Sequence, residues 1–205
     1  MNDDEGSEIK TILVGQSGAG KTNIINALIG KDFSASLFST TTSSFADKFM
    51  TVNNKKYRLE IWDTAGQEKY RSLTEIFIKD SKIVIFVYDI TSRASFEEVD
   101  YWVSTVKTIL GDNAVFGLAG NKKDLFQKEE VEEEEGEKKA EEIGALFKLT
   151  SAKTGSGIND FMQNLLEEHL RKNLTKVGKD HNNDDSRGQR LNSFNINKPR
   201  KKKWC

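Results

Sequence analysis

The feature that most constrains the fold is a glycine-rich segment near the start of the chain. Residues 15–22 read Gly-Gln-Ser-Gly-Ala-Gly-Lys-Thr, which fits the pattern G-x-x-x-x-G-K-[ST], and they directly follow the apolar run Ile12-Leu13-Val14. The pattern predicts a strand, then a loop whose backbone N–H groups wrap a polyphosphate, then a helix whose positive N-terminus faces the same anion. A chance match would rarely fall between a β-rich run and an amphipathic segment, so the segment predicts a nucleotide site.

Within this loop the residue types suggest individual roles. Lys21 is predicted to reach the β- and γ-phosphates, and Thr22 is predicted to place its hydroxyl on Mg²⁺. The remaining residues predicted to contact the nucleotide are Ser17, Gly18, Ala19 and Gly20.

Apolar, β-branched runs alternate with segments of helical period along the rest of the chain. Strands are predicted at 9–14, 45–52, 57–63, 82–90, 114–120 and 145–149, and helices at 20–30, 68–80, 94–110, 129–144 and 156–172. Asn53-Asn54 is too short for a crossover, so the second and third strands are predicted to form an antiparallel hairpin. The pattern indicates an α/β fold of the P-loop NTPase type, with a mixed, mainly parallel six-stranded sheet and helices on both faces.

Net charge and the absence of long apolar stretches limit which partners and which cellular locations are expected for this chain. The 205 residues carry a formal net charge of −1, so the chain has no overall positive charge that would favour binding of nucleic acid. Nucleic acid is therefore not expected as a partner. No apolar stretch reaches 18 residues and the first five residues are polar and acidic, which predicts a cytoplasmic chain without a signal peptide or spanning helix. We expect a flexible N-terminus at 1–7, one domain at 8–172 and a disordered tail at 173–205.

An acidic segment, 129–142, holds nine glutamates and two lysines. One interpretation is an acidic interaction segment. The other is the solvated face of a helix with an apolar edge formed by Val131, Ala140 and Ile143, and the spacing favours this second interpretation.

The end of the third predicted strand carries a second motif, Trp62-Asp63-Thr64-Ala65-Gly66-Gln67-Glu68. Asp63 is placed to hold Mg²⁺, through a water molecule, and Gly66 can bring a backbone N–H to the γ-phosphate. Gln67 could orient the attacking water. Asp63 alone reads equally well as a turn residue or helix cap, and its coupling to the glycine loop favours the metal.

Two further motifs follow the next strands and indicate which base is bound. Asn121-Lys122-Lys123-Asp124 follows the strand at 114–120, and Thr150-Ser151-Ala152-Lys153 follows the strand at 145–149. The Asp124 carboxylate can accept hydrogen bonds from N1–H and the exocyclic amine of guanine, a pair of donors that adenine lacks. Each tetrapeptide alone reads equally as a turn or cap, but the four motifs in this order predict a guanine nucleotide. The residues of these two motifs predicted to contact the nucleotide are Asn121, Lys122, Asp124, Ser151, Ala152 and Lys153.

With these motifs in order, residues 8 to about 172 resemble a Ras-superfamily small GTPase, and in detail the Rab family. The sequences at 62–73 and 88–96 are similar to those of Rab proteins. The resemblance implies that Phe33 packs against guanine, that Ala152 contacts its carbonyl through the backbone, and that Thr40 completes Mg²⁺ coordination in the GTP state. It also implies an aromatic surface for effectors, formed by Phe45, Trp62 and Phe77.

The chain departs from the Rab pattern in the first switch. Four hydroxyl residues occupy 40–43, where the family usually has a glycine at position 42 and small or apolar neighbours. Ile78-Lys79-Asp80-Ser81 replaces a tyrosine-arginine-glycine-alanine pattern. The identity of the effector therefore does not follow from the resemblance.

The implied activity is slow hydrolysis of GTP to GDP and phosphate. Gln67, Lys21, Thr40 and Gly66 are the implied catalytic residues. The segment 31–40 contains no arginine, so intrinsic turnover of about 10⁻⁴ to 10⁻³ s⁻¹ is expected, with an activating protein supplying charge in trans. An exchange factor, effectors that bind the switches, prenylation enzymes and a GDP-dissociation inhibitor are the other implied partners.

The end of the chain is basic and carries its single cysteine. Five basic residues lie within 198–203, and Cys205 is the last residue. This combination suggests a lipid anchor with polybasic support on the cytosolic face of an intracellular membrane, cycling with the cytosol in vesicle traffic. The alternatives are a soluble Ran-like carrier or adaptor with a nuclear signal at 198–203 and, less well supported by the motifs, a P-loop kinase.

Overall fold

A computed structural model describes residues 7–33, 44–63 and 76–188, without the side chains of Ser44 and 175–188. Six strands form one sheet. They are β1 (Glu8–Val14), β2 (Ser44–Val52), β3 (Lys55–Asp63), β4 (Ile83–Asp89), β5 (Val115–Asn121) and β6 (Ala145–Leu149).

The helices of the described residues follow the strands along the chain. They are α1 (Lys21–Leu28), α2 (Arg93–Glu97), α3 (Val99–Leu110), a 3₁₀ helix (Lys123–Lys128), α4 (Glu133–Ile143) and α5 (Ile158–Gly188), and 76–78 are also helical. None of them is long and apolar enough to cross a bilayer.

The sheet has the order β2-β3-β1-β4-β5-β6. β2 and β3 are antiparallel and the other neighbouring strands are parallel. Asn53 and Asn54 join the hairpin with φ angles of 50° and 61°, values that asparagine tolerates and that a two-residue hairpin turn needs. The predicted α/β fold with a mixed, mainly parallel six-stranded sheet is confirmed.

The core lies around the central strands. Every residue of β4 and of β5 is buried, as expected of parallel strands covered on both faces. Val103 and Val106 of α3 and Ala140 of α4 belong to the same apolar cluster. This buried centre presents the carboxyl ends of β1, β4 and β5 side by side, where ligands of such sheets bind.

Most of the acidic segment, from Glu133 onward, forms a solvated helix with an apolar edge. Val131, Ala140 and Ile143 are buried, which confirms the favoured interpretation. The helix begins at Glu133 instead of 129, because the N–H groups of Glu130 and Val131 both donate to the Ile90 carbonyl. A capping box between Glu132 and Glu135 then starts α4.

Two helices differ more substantially from the sequence prediction. The helix predicted at 94–110 is divided at Glu98 into α2 and α3. The last helix was predicted to end at 172, but α5 reaches Gly188, so 173–188 are helical and not irregular. No proline interrupts this segment, and extension of an existing helix gains one hydrogen bond for each residue fixed, without a second nucleation cost.

The chain divides into two compact units, 1–169 and 170–205. The first contains the whole sheet and the start of α5, whose Phe161, Met162, Leu165 and Leu166 are buried. The second begins within α5 at Leu170. The predicted domain limits 8–172 and 173–205 stay predictions.

Candidate functional site

The glycine loop joins β1 to α1 in a conformation that requires its glycines. Gly18 and Gly20 have φ angles of 83° and 96°. A Cβ on Gly15 would lie 2.1 Å from the Val87 carbonyl oxygen, and one on Gly20 would lie 2.3 Å from Asn121 Nδ2. The loop therefore packs directly on β4 and on the motif that follows β5.

Lys21, the first residue of α1, points back into this loop. It is only 3% exposed. Its Nζ donates to the carbonyl oxygens of Gly15, at 2.7 Å, and Gln16, at 3.0 Å. An ammonium so placed puts a buried positive charge at the centre of the loop, next to the positive N-terminus of α1.

The other loop residues lie on either side of this lysine. Ala19 is buried and Thr22, the second residue of α1, is half-buried, whereas Ser17 and Gly18 are exposed at the tip. An exposed glycine tip beside a buried ammonium at the start of a helix is an arrangement suited to phosphate oxygens.

Asn121 joins three of the predicted motifs. This residue ends β5 and is 1% exposed. Its Nδ2 donates to the Ala19 carbonyl oxygen at 2.8 Å, and its Oδ1 accepts from Thr150 Oγ1 at 3.3 Å and from the Ala152 N–H at 3.2 Å. The sequence predicted Asn121 as a nucleotide contact; its position between the three motifs was missed, because tetrapeptide patterns carry no information about contacts between them.

Asp124 and Ser151 are paired beside this amide. Ser151 Oγ donates to Asp124 Oδ1 at 2.6 Å and accepts from the Thr154 N–H at 3.2 Å. The bond fixes Oδ1 of the carboxylate and leaves one lone pair of Oδ1 and both lone pairs of Oδ2 for further donors. Ala152 is buried beside the pair, and Lys153 is exposed.

Asp63 ends β3 and lies at the same edge of the sheet. It is 2% exposed, and the register of β1 and β3 places it opposite Leu13, two residues before Gly15. Together with the Thr22 hydroxyl it offers only oxygen ligands, the donor type that Mg²⁺ prefers. Phe33, predicted to contact guanine, is 42% exposed.

Four predicted site residues lie outside the described residues: Thr40, Gly66, Gln67 and Cys205. The structure therefore brings together the loop at 15–22, Asn121, Asp124 and the motif at 150–153, and it places Asp63 at the end of a strand beside them.

An ion pair at this edge was not predicted from the sequence. Lys122 Nζ lies 2.5 Å from Oδ2 of Asp89, the last residue of β4. The one available signal was an aspartate at the end of an unbroken apolar strand, which the sequence analysis used only as part of a wider resemblance.

A family model described as the Ras family matches residues 10–171. The chain belongs to the Ras family. It is a small GTPase, a molecular switch that binds GTP and GDP and hydrolyses GTP. Exchange factors, activating proteins and effectors are the general partners of such a switch.

This Ras-family GTPase also has a row of aromatic rings on its sheet. The ring centroids of Phe45 and Trp62 are 5.7 Å apart, and those of Trp62 and Phe77 are 5.6 Å apart. Phe45 is 51% exposed. Lys10 Nζ lies 5.5 Å from the Trp62 ring centroid, and partial burial lowers the pKa of this lysine. The three rings that the sequence grouped are therefore contiguous, with Phe45 exposed and Trp62 and Phe77 partly buried against the core.

Proposed function

We propose that this Ras-family GTPase is a Rab-like switch, recruited to the cytosolic face of an intracellular membrane to control vesicle traffic. The observation that carries the proposal is the row formed by Phe45, Trp62 and Phe77, since contiguous rings at this place match the effector surface expected of Rab proteins. The similarity of the sequences at 62–73 and 88–96 to those of Rab proteins supports the proposal.

In the proposed nucleotide site the phosphates lie in the loop at 15–22, with Lys21 at the β- and γ-phosphates. Guanine packs against Phe33 and bonds to the Asp124 carboxylate, and the backbone of Ala152 lies at its carbonyl oxygen. Lys122 and Lys153 flank the nucleoside. The short bond between Ser151 and Asp124 supports this arrangement, because it holds a carboxylate oriented before guanine arrives.

The proposed Mg²⁺ ligands are the hydroxyls of Thr22 and Thr40 and, through water, the carboxylate of Asp63. When bound, the ion would neutralise charge on the phosphates. The position of Asp63 supports this assignment, because it ends β3 opposite Leu13, two residues before the glycine loop, and offers the oxygen ligands that Mg²⁺ prefers.

For hydrolysis we propose that Gln67 orients a water molecule in line with the γ-phosphate. A bond forms from the water oxygen to phosphorus, while the bond to the β–γ bridging oxygen breaks. Lys21 and the Gly66 N–H stabilise the charge on the phosphoryl oxygens. The segment 31–40 has no arginine, so an activating protein supplies the missing charge in trans.

Replacing Gln67 by Leu tests this assignment. The change removes the group that orients water without altering the loop that binds phosphate, so single-turnover hydrolysis should fall at least about tenfold while GDP binding stays within twofold. Gln127→Leu, at an exposed position of the 3₁₀ helix, is the matched control. A Gln67→Leu rate equal to that of the control would remove Gln67 from the mechanism.

The proposed membrane anchor is a prenyl group on Cys205, supported by the basic run at 198–203. One lipid chain alone binds membranes marginally, so the five cations add the second signal that stable binding needs. A GDP-dissociation inhibitor would extract the GDP form and return it to the cytosol.

Intact mass measurement and cell fractionation test the proposed role. The protein recovered from its own cells should carry a mass increase of prenyl size and sediment with membranes, and Cys205→Ser should lose both. Replacing Lys201, Lys202 and Lys203 by Gln should keep the modification but weaken membrane retention. An unmodified Cys205 on a fully soluble protein would contradict the membrane switch and would point to a soluble carrier or adaptor.

A further inference from the structure

Asp89 lies at the carboxyl end of β4, where it binds the side chain of Lys122. The ammonium Nζ and the carboxylate Oδ2 are 2.5 Å apart, and Asp89 is largely buried. Lys122 has a left-handed backbone with φ of 69°, an unfavourable conformation for a lysine that persists only where the surroundings enforce it. The backbone and the ion pair together hold Lys122 in one arrangement.

The carboxylate of Asp89 is itself held in place. Its Oδ1 accepts from both the N–H and the Oγ1 of Thr91, at 2.9 and 2.8 Å. The Asp89 N–H donates to Ser95 Oγ at 2.9 Å, and this hydroxyl donates to the Ser92 carbonyl oxygen at 2.8 Å. The acceptor for Lys122 is therefore oriented by the loop that follows β4.

This loop is joined to the centre of the candidate nucleotide site. The Ile90 N–H donates to the Asn121 carbonyl oxygen at 3.1 Å, and the Asn121 side chain binds the phosphate loop through Ala19. Asp89 therefore binds Lys122, and the next residue in the loop, Ile90, is bonded to Asn121.

We propose that Asp89 is a positioning residue for the nucleotide: it directs the Lys122 ammonium toward the bound nucleoside and so slows the dissociation of guanine nucleotides. The proposal rests on the assignment of Lys122 to the proposed site. An ammonium has three donors, so the bond to Asp89 leaves two for the nucleotide. Without the carboxylate, Lys122 regains rotamer freedom that each binding event must then remove.

A double-mutant cycle on the full-length chain tests the proposal. The measurement is the dissociation rate of methylanthraniloyl-GDP, chased with excess GDP, from the wild type, Asp89→Asn, Lys122→Met and the double variant. Each single substitution should raise the rate roughly tenfold, the order expected for a lost charge-assisted hydrogen bond. Because Asp89 acts through Lys122, adding Asp89→Asn to Lys122→Met should change the rate by less than about twofold.

Two further variants keep the test decisive. Asp100→Asn removes an equivalent carboxylate from an exposed ion pair with Lys139, where N and O are 3.0 Å apart, and should leave the rate unchanged. Thr91→Val removes one hydrogen bond to Asp89 without changing charge, and should raise the rate about two- to fivefold. If thermal unfolding shows that Asp89→Asn does not fold, Thr91→Val tests the positioning role of Asp89 in its place.

The contradicting results are distinct. If Lys122→Met leaves dissociation unchanged, the assignment of Lys122 to the nucleotide is wrong, and the positioning role is wrong with it. If Lys122→Met is fast but Asp89→Asn and Thr91→Val match Asp100→Asn, only the positioning role is wrong. A full additional effect of Asp89→Asn in the Lys122→Met background would show that Asp89 acts on the loop and not through Lys122.

Discussion

Two polar clusters of this GTPase join elements that are distant in the chain, and they differ in burial. The Asn121 cluster joins the phosphate loop to the motif at 150–153 and is shielded from water. The second cluster joins α2 to α4 through a bidentate ion pair of Arg93 and Glu135, whose side chains are each 40% exposed. Both clusters connect separate elements through hydrogen bonds, but only the first removes its polar groups from water.

Burial decides what each cluster contributes. A buried donor or acceptor that loses its partner cannot be compensated by water, whereas an exposed one can. Nucleotide binding should therefore be sensitive to substitutions that remove a single polar group from the Asn121 cluster. Stability should be less sensitive to substitutions of Arg93 or Glu135 between α2 and α4.

The largest effect is expected for Asn121→Ala. It leaves the Ala19 carbonyl and the Ala152 N–H without their partner in the buried cluster, at a cost on the order of 3 kcal/mol, so GDP dissociation should accelerate at least about 100-fold. The control is Asn113→Ala, which removes an exposed amide bonded to Leu110. Similar dissociation rates for the two variants would abolish the distinction between the clusters.

Gly20→Ala should have the next largest effect. The added Cβ meets Asn121 Nδ2 at 2.3 Å, and the φ of 96° strains any side chain by about 1–3 kcal/mol. Gly30→Ala isolates the strain, because its φ is 79° but nothing lies within 4 Å of its Cβ. Both variants should lower the melting temperature, and only Gly20→Ala should speed GDP dissociation, by roughly tenfold. Equal dissociation rates would mean that contact with Asn121 is irrelevant.

The sequence predicted most of what these experiments address. The α/β class and the antiparallel pairing of β2 with β3 could be predicted, because the apolar runs, the short Asn53-Asn54 turn and the glycine loop are local sequence patterns. The Asn121 cluster could not, since its bonds span positions about 30 and 100 apart in the chain. The start of α4 at Glu133 likewise depends on a distant carbonyl, that of Ile90.

The smallest effect is expected at the exposed cluster, and it depends on pH. The hydrogen bond from Arg93, followed by that from the Glu132 N–H, lowers the pKa of Glu135 to about 2 from its ordinary 4.5. A lowered pKa means that the folded state favours the carboxylate, so its stabilisation is complete above pH 4.5 and is lost as the pH falls toward 2.

Glu135→Gln makes this measurable. The melting temperature of the wild type should exceed that of the variant by a small, constant amount from pH 7 to about 5, and the difference should shrink between pH 4.5 and 2. Glu134→Gln, one residue earlier in the first turn of α4, is the control. A difference that stays constant down to pH 2 would show that the ion pair does not stabilise the fold.

The central claim is that buried contacts among three loops build a site for guanine. Calorimetric titration of the wild type and Asp124→Asn with GDP, ADP and XDP tests it most directly. The account predicts that the wild type binds GDP at least about 1,000-fold more tightly than ADP. It predicts that Asp124→Asn loses GDP affinity but gains XDP affinity, because an amide donates to the xanthine carbonyl that replaces the guanine amine. Equal affinity of the wild type for GDP and ADP, or an unchanged preference in Asp124→Asn, would contradict it.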